Sequence, residues 1–488
     1  MTRVEVKRCP SRYHHEIGKY KIGLSEKCFH CGLCAEICPS GVLERSEGSN
    51  FVQPLRPALC LGEKCRVEPY YCTTKCPVEA ITIGEDPQWR TLGDFRWTHD
   101  LILTTWQQAE TGEVPEGIFE YKLGDSGGGF DVFDFPEDSH PVSGKINDAD
   151  TSLCLNRRRE GPKITIPVPW YGAGMSFGSI SLPTMLARAQ AAKAWGTFFS
   201  TGEGGYPEEL HPYSSCIITQ IATGLFGVRE ETIKRARIIE FKYAQGAKPG
   251  LGGHLLGDKN TPVVAGMREA VPWTSLFSPF PFHSVYSVED HKKHIDWVKA
   301  INPEALVSVK VSTPVDVDMV AVGSYYAGAN IINLDGGYGG TGAAPEIAKK
   351  NIAMPIEYAI TKVHKFLLEE GVRDEIVLMA SGGIRNAYDI AKSIALGADG
   401  VVVGTAELVA LGCVRCGNCE SGRGCPRGIA TTDAQLEGQI DASWGSQRII
   451  NLYASWQKQL RLILSELGLT HIQELRGRTD LLRYVDGK

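Results

Sequence analysis

Fifteen cysteines, twelve of them in three tight groups, constrain this chain more than any other feature. The opening MTRVEVKRCPSRYHHEIGKY carries early cations with no apolar segment behind them, so neither a secretory signal nor an anchor is expected. The expected compartment is the cytoplasm, where disulfides are rare and clustered thiols serve metal ligation or catalysis. Residues 28–39 read CFHCGLCAEICP, placing Cys28, Cys31, Cys34 and Cys38 at C-x2-C-x2-C-x3-C-P spacing. Such spacing lets one turn of backbone present three thiolates to three corners of a [4Fe-4S] cube, and the proline ends the loop. Structural zinc is the competing reading, but zinc favours two separated ligand pairs and does not call for the C-x3-C-P tail. A second group, Cys60, Cys65, Cys72 and Cys76, is spaced x4, x6 and x3 and also ends in proline, Pro77. Cys9, Cys154 and Cys216 stand apart and read as small buried hydrophobes.

The two runs together resemble a bacterial two-cluster ferredoxin, and each is followed by a strand-like segment, GVLER and AITIG. In such ferredoxins the last cysteine of each run ligates the other cluster. The resemblance therefore implies two [4Fe-4S] clusters, one on Cys28, Cys31, Cys34 and Cys76, the other on Cys60, Cys65, Cys72 and Cys38. The stretched second run departs from the plainest pattern.

With 488 residues the chain has room for two to four units of about 150 residues each. It is 43% hydrophobic and 22% charged, with no run near the ~20 apolar residues of a membrane span, so a soluble protein without membrane contact is expected. A formal net charge of −6 gives no basic footprint for nucleic acid.

From about residue 160, short β-branched runs alternate with helical stretches, the pattern of repeated βα units. Eight strands are expected, in VPWYGAG, TFFST, CIITQIA, IEFKYAQ, LVSVKVS, NIINLDG, EIVLMASGG and GVVVGTA. Helices are expected in VEDHKKHIDWVKAI and NAYDIAKSIALGA. Eight parallel strands suggest a closed (β/α)8 barrel with its chemistry at the C-terminal strand ends, and glycine-rich loops stand there. Phosphate in such barrels commonly lies after strands seven and eight, here Gly382, Gly383, Gly404 and Thr405. GGYGGTG matches a dinucleotide fingerprint crudely, but no acidic residue about 20 positions on supports it and a Rossmann site is rejected. The fold class is thus α/β, a TIM barrel behind an α+β ferredoxin-like domain.

GAGMSFGSIS, TGEGG, QIATGLFGV, KYAQGAKPGLGGHLLG, LDGGYGGTGAAP, SGGIRNAYDIAKSIALGADGVVVGTA and CPRGIATTD, in order across about residues 165 to 430, resemble the synthase domain of the glutamate synthase family, in its short archaeal form. HIQELRGRTDLL resembles that family's C-terminal region. The resemblance implies FMN surrounded by Met175, Ser176, Gln220, Lys242, Lys310, Gly336, Gly337, Gly339, Gly340 and Thr341, with Lys310 or Lys242 near the flavin N1 and O2. It implies a 2-oxoglutarate site with Ser176, Lys248, His254 and Arg268, and catalytic roles for Glu203 and Lys248, Glu203 handling protons during imine formation. Arg holds a carboxylate by two parallel hydrogen bonds, whereas Lys supplies a point charge. Two departures concern substrate choice: the family's glutamine in GGQLPG is His254, and its paired histidines are Phe282 and His283. The family's three-cysteine [3Fe-4S] element corresponds to Cys413, Cys419 and Cys425, and an extra Cys416 would complete a [4Fe-4S] cube, so the third cluster is of either type.

The expected division is an iron–sulfur domain over 1–90, a covering segment over 91–160, the barrel over 161–412, a cysteine loop over 413–430 and a helical segment over 431–488. The implied activity is reductive amination of 2-oxoglutarate by ammonia. Residue 2 is Thr, not the catalytic cysteine of an amidotransferase, so ammonia is expected from a separate glutamine amidotransferase subunit. With no NAD(P)H fingerprint, electrons are expected from an NAD(P)H-oxidising subunit or free ferredoxin, and oligomers are allowed. Competing readings are an N-methylglutamate-forming enzyme, another FMN oxidoreductase of this fold, and a non-catalytic electron-transfer subunit.

Overall fold

The computed structural model describes residues 4–13, 18–46, 50–65, 67–116, 121, 129–136, 149–340, 342, 344, 345, 347–349, 351–420 and 422–485. The cysteine-rich front end is built from two antiparallel pairs. β1 (Tyr20–Leu24) pairs with β4 (Ile81–Glu85), and β2 (Leu43–Arg45) with β3 (Val52–Pro54). Two short helices, α1 (Leu33–Ile37) and α2 (Tyr71–Thr74), each follow a cysteine loop. Tyr20, Val42 and Cys60 form a small core separate from the main one. So small a core buries little apolar surface, the setting in which metal clusters supply the missing stability.

The eight expected strands all form and close into one parallel barrel. They are β5 (Trp170–Gly172), β6 (Phe199–Ser200), β7 (Ile217–Ala222), β8 (Ile238–Lys242), β9 (Leu306–Ser312), β10 (Ile331–Asp335), β11 (Val377–Ser381) and β12 (Gly400–Val403). β5 is shorter than its apolar run because Pro169, just before it, has no N–H for the ladder. The expected helices appear after Ser287, over Val288–Ile301, and after Arg385, over Ala387–Ala395. Ser287 and Asn386 are their N-caps, accepting from the amides of Asp290 and Asp389.

Strand alternation sorts the side chains. Phe241 faces out against His291 of the helix Val288–Ile301, with ring centroids 5.6 Å apart, so Glu240 and Lys242 face in. Register pairs Gln220 with Glu240, Glu240 with Ser308, and Lys242 with Lys310. Glu240 is buried and accepts from Gln220 Nε2 at 2.7 Å, Ser308 Oγ at 2.9 Å and Asn333 Nδ2 at 3.2 Å. Three donors offset the desolvation of a charge that would otherwise be costly to bury.

The long C-terminal helix Ala442–Glu466 packs across the helices Leu182–Trp195 and His99–Thr111. Its Tyr453 and Trp456 meet Trp170 edge-on at 5.4 and 5.9 Å. The start of the chain lies along the same helix: Gln447 donates to Glu5 O, Asn451 to Lys7 O and Trp444 to Pro10 O. Buried Arg448 ties the three parts together, donating to Ala410 O at 2.5 Å, Cys9 O at 2.7 Å and Trp106 O at 3.1 Å. Among the described residues no helix is long and apolar enough to cross a membrane.

Arg448→Ala would take a buried donor from the carbonyls of Cys9 and Ala410, at about 1–3 kcal/mol each. We expect a clear fall in the thermal midpoint by calorimetry, with Arg448→Lys recovering only part of it, because one ammonium cannot span three carbonyls held by a planar fork.

Candidate functional site at the barrel mouth

At the C-terminal ends of the strands lies a cleft of about 720 Å³ lined by Met175, Gln245, Lys310, Asp335, Gly339, Gly340, Gly382, Gly383, Gly404 and Thr405, with Trp97 and Tyr338. Gly382 and Gly383 have φ of +83° and +122°, and a Cβ on Gly382 would fall 2.5 Å from Gly336 O, so both conformation and closeness call for glycine. Asp335 ends β10 and organises the floor: it pairs with Lys310 Nζ at 3.2 Å and accepts from Gly246 N at 3.0 Å and Ser381 Oγ at 2.7 Å. Burial opposes the Lys310 charge, but Asp335 and Glu240 outweigh it and hold this ammonium above its ordinary value.

Beside the cleft stands a cluster of charged groups. Lys242 Nζ lies 3.3 Å from Glu203 Oε2, and Lys248 Nζ 3.5 Å from His254 Nδ1. Arg268 donates to Phe177 O at 3.2 Å, and its buried Nε has no partner among the described residues. Burial works against the Glu203 carboxylate, yet Lys242, Arg268 and Lys248 prevail and keep it below its ordinary value. Burial first, then the Lys242 charge, bring Lys248 down to about 8. Burial and the Lys248 charge likewise lower His254.

Of the expected flavin residues, Met175, Lys310, Gly339, Gly340, Gly382, Gly383, Gly404 and Thr405 line the cleft. Gln220 sits behind the wall, its Nε2 2.6 Å from where a Cβ on Gly174 would stand. Ser176 lies against Gly202, Gly336 against Gly382 and Gly337 against Ala353, while Lys242 belongs to the charged cluster. Thr341 lies outside the described residues. Phe282 is buried with its ring 5.0 Å from that of Tyr243, the residue after Lys242, and His283 is exposed. The sequence reading missed Trp97, Gln245, Asp335 and Tyr338. Asp335 was readable from alternation with Asn333; Trp97, contributed by a distant covering segment, had no signal.

The cysteines line three cavities. Cys28, Cys31, Cys34 and Cys76 surround one of about 380 Å³, with Cys72 at its edge. Cys38, Cys60, Cys65 and Cys72 surround a second, of about 400 Å³. Cys72 lines both, so the first cavity takes two thiols from the second run and the second takes Cys38 from the first. The third, about 1460 Å³, contains Cys413, Cys416, Cys419 and Cys425 and shares Trp97, Tyr338, Gly339, Gly340 and Thr405 with the barrel-mouth cleft. Among the described residues no three His, Cys, Asp or Glu side chains converge to hold a single metal ion; the thiols stand around cavities. Residues 93–97 pin this loop to the barrel: Gly93 N donates to Val414 O at 3.1 Å, Asp94 pairs with Arg415 at 2.7 Å, and Arg96 lies 3.4 Å over the Tyr338 ring. On the other side, Lys259 donates to Cys419 O and pairs with Glu420 at 3.3 Å.

A parallel (β/α)8 barrel with a glycine-lined cleft at its mouth, joined to cysteine loops, is the architecture of an iron–sulfur oxidoreductase. A model of the conserved region in glutamate synthase matches residues 141–470, and a 4Fe-4S binding domain model matches residues 24–44. The archaeal-type glutamate synthase [NADPH] of Thermotoga maritima is 36% identical over 485 residues, covering 94% of this chain and 93% of that one. The archaeal glutamate synthase [NADPH] of Methanocaldococcus jannaschii is 36% identical over 505 residues, covering 96% and 95%. The glutamate synthase [NADPH] large chain of Azospirillum brasilense is 36% identical over 318 residues, 64% of this chain and 21% of that one. The chain belongs to the glutamate synthase family.

A Cβ on Gly253 would stand 1.9 Å from Glu203 Oε1. We therefore expect Gly253→Ala to push this carboxylate off Lys242 and to lower turnover at least about tenfold, a barrier increase near 1.4 kcal/mol; unchanged steady-state turnover would mean that the position of Glu203 is immaterial.

Proposed function

We propose that the chain reductively aminates 2-oxoglutarate to L-glutamate at the barrel mouth, with FMN in the cleft. Two [4Fe-4S] clusters occupy the first two cysteine cavities, and a third iron–sulfur cluster sits on Cys413, Cys416, Cys419 and Cys425. The observation that carries this reading is the wall of Trp97, Tyr338, Gly339, Gly340 and Thr405 common to the third cysteine cavity and the cleft. Electron donor and acceptor sites that share side chains need no further carrier between them. When bound, FMN supplies the conversion of single electrons into a hydride.

The chain's own groups do the rest. Arg268, buried with one N–H unpartnered, suits a carboxylate of the oxo acid. Carbinolamine formation makes a C–N bond and places a proton on the former keto oxygen, and loss of water then needs an acid at that oxygen. Glu203, held ionised by three cations, is suited to accept the proton leaving nitrogen. Lys248, with its ammonium brought down to about 8, is suited to donate to oxygen. Lys310, kept firmly cationic, stabilises negative charge on a reduced flavin ring. Ammonia comes from a glutaminase on a separate subunit, and electrons come from an NAD(P)H-oxidising subunit or free ferredoxin.

The direct test is anaerobic reduction of the purified protein followed by optical reoxidation. We expect 2-oxoglutarate with ammonia to reoxidise it, and methylamine to do so much more slowly; no reoxidation with either amine would reject the reading. Glu203→Gln should slow turnover with ammonia, and unchanged turnover would remove its proton-handling role. Because Lys248 loses its proton as pH rises through about 8, kcat should fall by up to tenfold per pH unit above that value, and a pH–rate profile at saturating substrates would show it. Lys248→Arg should abolish that limb, since arginine stays charged.

A further inference from the structure

The segment that carries His254 is tied to the cysteine loop by one buried side chain. Lys259, its side chain only 5% exposed, follows shortly after His254 in the chain. Its ammonium pairs with Glu420 Oε1 at 3.3 Å and donates to Cys419 O, and both of these partners belong to the loop whose thiols line the third cysteine cavity. Between Lys259 and the charged cluster the backbone has little freedom. His254 and Leu255 pair with Phe277 and Leu276 in a two-stranded ladder, and Ser278 N donates to Gly253 O at 2.7 Å. Lys259 N donates to Leu256 O at 3.1 Å, and buried Asn260 donates from Nδ2 to Val271 O at 2.9 Å and Thr274 O at 3.0 Å. The other end of the segment meets the charged groups directly. Gly253 lies against Glu203, where a Cβ would fall 1.9 Å from Oε1, and His254 Nδ1 is 3.5 Å from Lys248 Nζ. Glu420 is within electrostatic reach of the same groups. Burial and the Lys242 charge lower Lys248 while Glu203 and then Glu420 oppose them; burial and Lys248 lower His254 while Glu420 opposes them.

A buried ammonium is tolerated only while its donors are engaged. Release of the cysteine loop would strip Lys259 of Cys419 O and the Glu420 carboxylate at once, and the segment would have to shift to rehydrate the charge. Gly253 and His254 would move with it, and so would the contacts that set Glu203 and Lys248. We propose that Lys259 is a positioning residue that couples the oxo-acid site to the cysteine loop, so that 2-oxoglutarate binds tightly only while a cluster holds that loop in place. The inference rests on the oxo-acid and third-cluster readings given above. Such a coupling is reciprocal: whatever the held loop adds to oxo-acid affinity, bound oxo acid adds to retention of the loop. A chain lacking the third cluster then leaves the oxo acid unbound instead of holding it in a site that cannot be reduced.

The test is isothermal titration of 2-oxoglutarate into the whole reconstituted protein, oxidised and without amine, so that binding is read with no turnover. Lys259→Met, which removes the charge from a side chain of similar length, should weaken binding at least about fivefold, the lower end of coupling between sites, with FMN and iron contents as in the unsubstituted chain. Lys259→Arg, which keeps the charge, should retain most of the affinity. Cys413→Ser, which removes a thiolate from the loop and leaves Lys259 in place, should weaken binding by a similar factor, and the double variant should be no weaker than the worse single one. Glu420→Gln leaves Cys419 O as an acceptor and should lose less affinity than Lys259→Met; it carries the test if Lys259→Met does not fold. Binding unchanged in both Lys259→Met and Glu420→Gln, or losses that simply add in the double variant, would overturn the inference and leave the oxo-acid reading intact. No binding of 2-oxoglutarate to the unsubstituted chain would overturn that reading and this inference with it.

Discussion

Closing eight parallel strands into a ring forces every strand's carboxyl end onto one face, and the rest of this structure depends on that constraint. Lys242, Asp335 and Ser381 are the last residues of their strands, so closure delivers them to the same mouth although they are far apart in sequence. The charges can be buried there because the layer beneath is polar. Glu240, with Gln220, Ser308 and Asn333 as donors, sits one inward position below Lys242 and Lys310. An apolar layer at that depth would remove the Glu240 charge that helps to hold the Lys310 ammonium.

The covering segments do a second job that the barrel alone cannot. Asp94 and Arg96 fasten residues 93–97 to the cysteine loop and to Tyr338. Arg385 reaches Asp131 by two bonds of 2.9 and 2.6 Å while also holding Asp389, and so seats residues 129–132. A buried arginine between two carboxylates is tolerated because its planar fork satisfies both at once. The result is a fixed spacing between a cysteine cavity and the barrel-mouth cleft. Fixed spacing matters to electron transfer in the way that positioning matters to any reaction between bound groups.

Much of this was legible in the residues alone. β-branched runs at regular intervals disclosed all eight strands, and the x2, x2, x3 spacing set out the first cysteine loop. The regrouping of thiols across the two runs, Cys76 with the first three and Cys38 with the last three, followed only from the ferredoxin resemblance. Side chains supplied by distant segments were not legible. Trp97 reaches the mouth from outside the barrel, and Glu420 approaches Lys259 from the cysteine loop. Neither position carries a local pattern, because periodicity reports which face of an element is buried and is silent on what another segment brings to that face.

The mouth also explains how four cations can crowd together without becoming equivalent. Lys310 and Lys242 are register partners on adjacent strands, but Lys310 has Asp335 and Glu240 nearby and is raised, whereas Lys242, buried and facing Lys310, is lowered despite Glu203. Lys248, with only a share of Glu203 and Glu420 to offset its burial, falls to about 8. Arg268 stays charged in any case. Carboxylate placement therefore sorts chemically similar groups into one raised ammonium, one ion-paired partner, one ammonium brought down to about 8 and one permanently charged guanidinium. In the proposed reaction that sorting would serve addition of an amine to an oxo acid and reduction of the product.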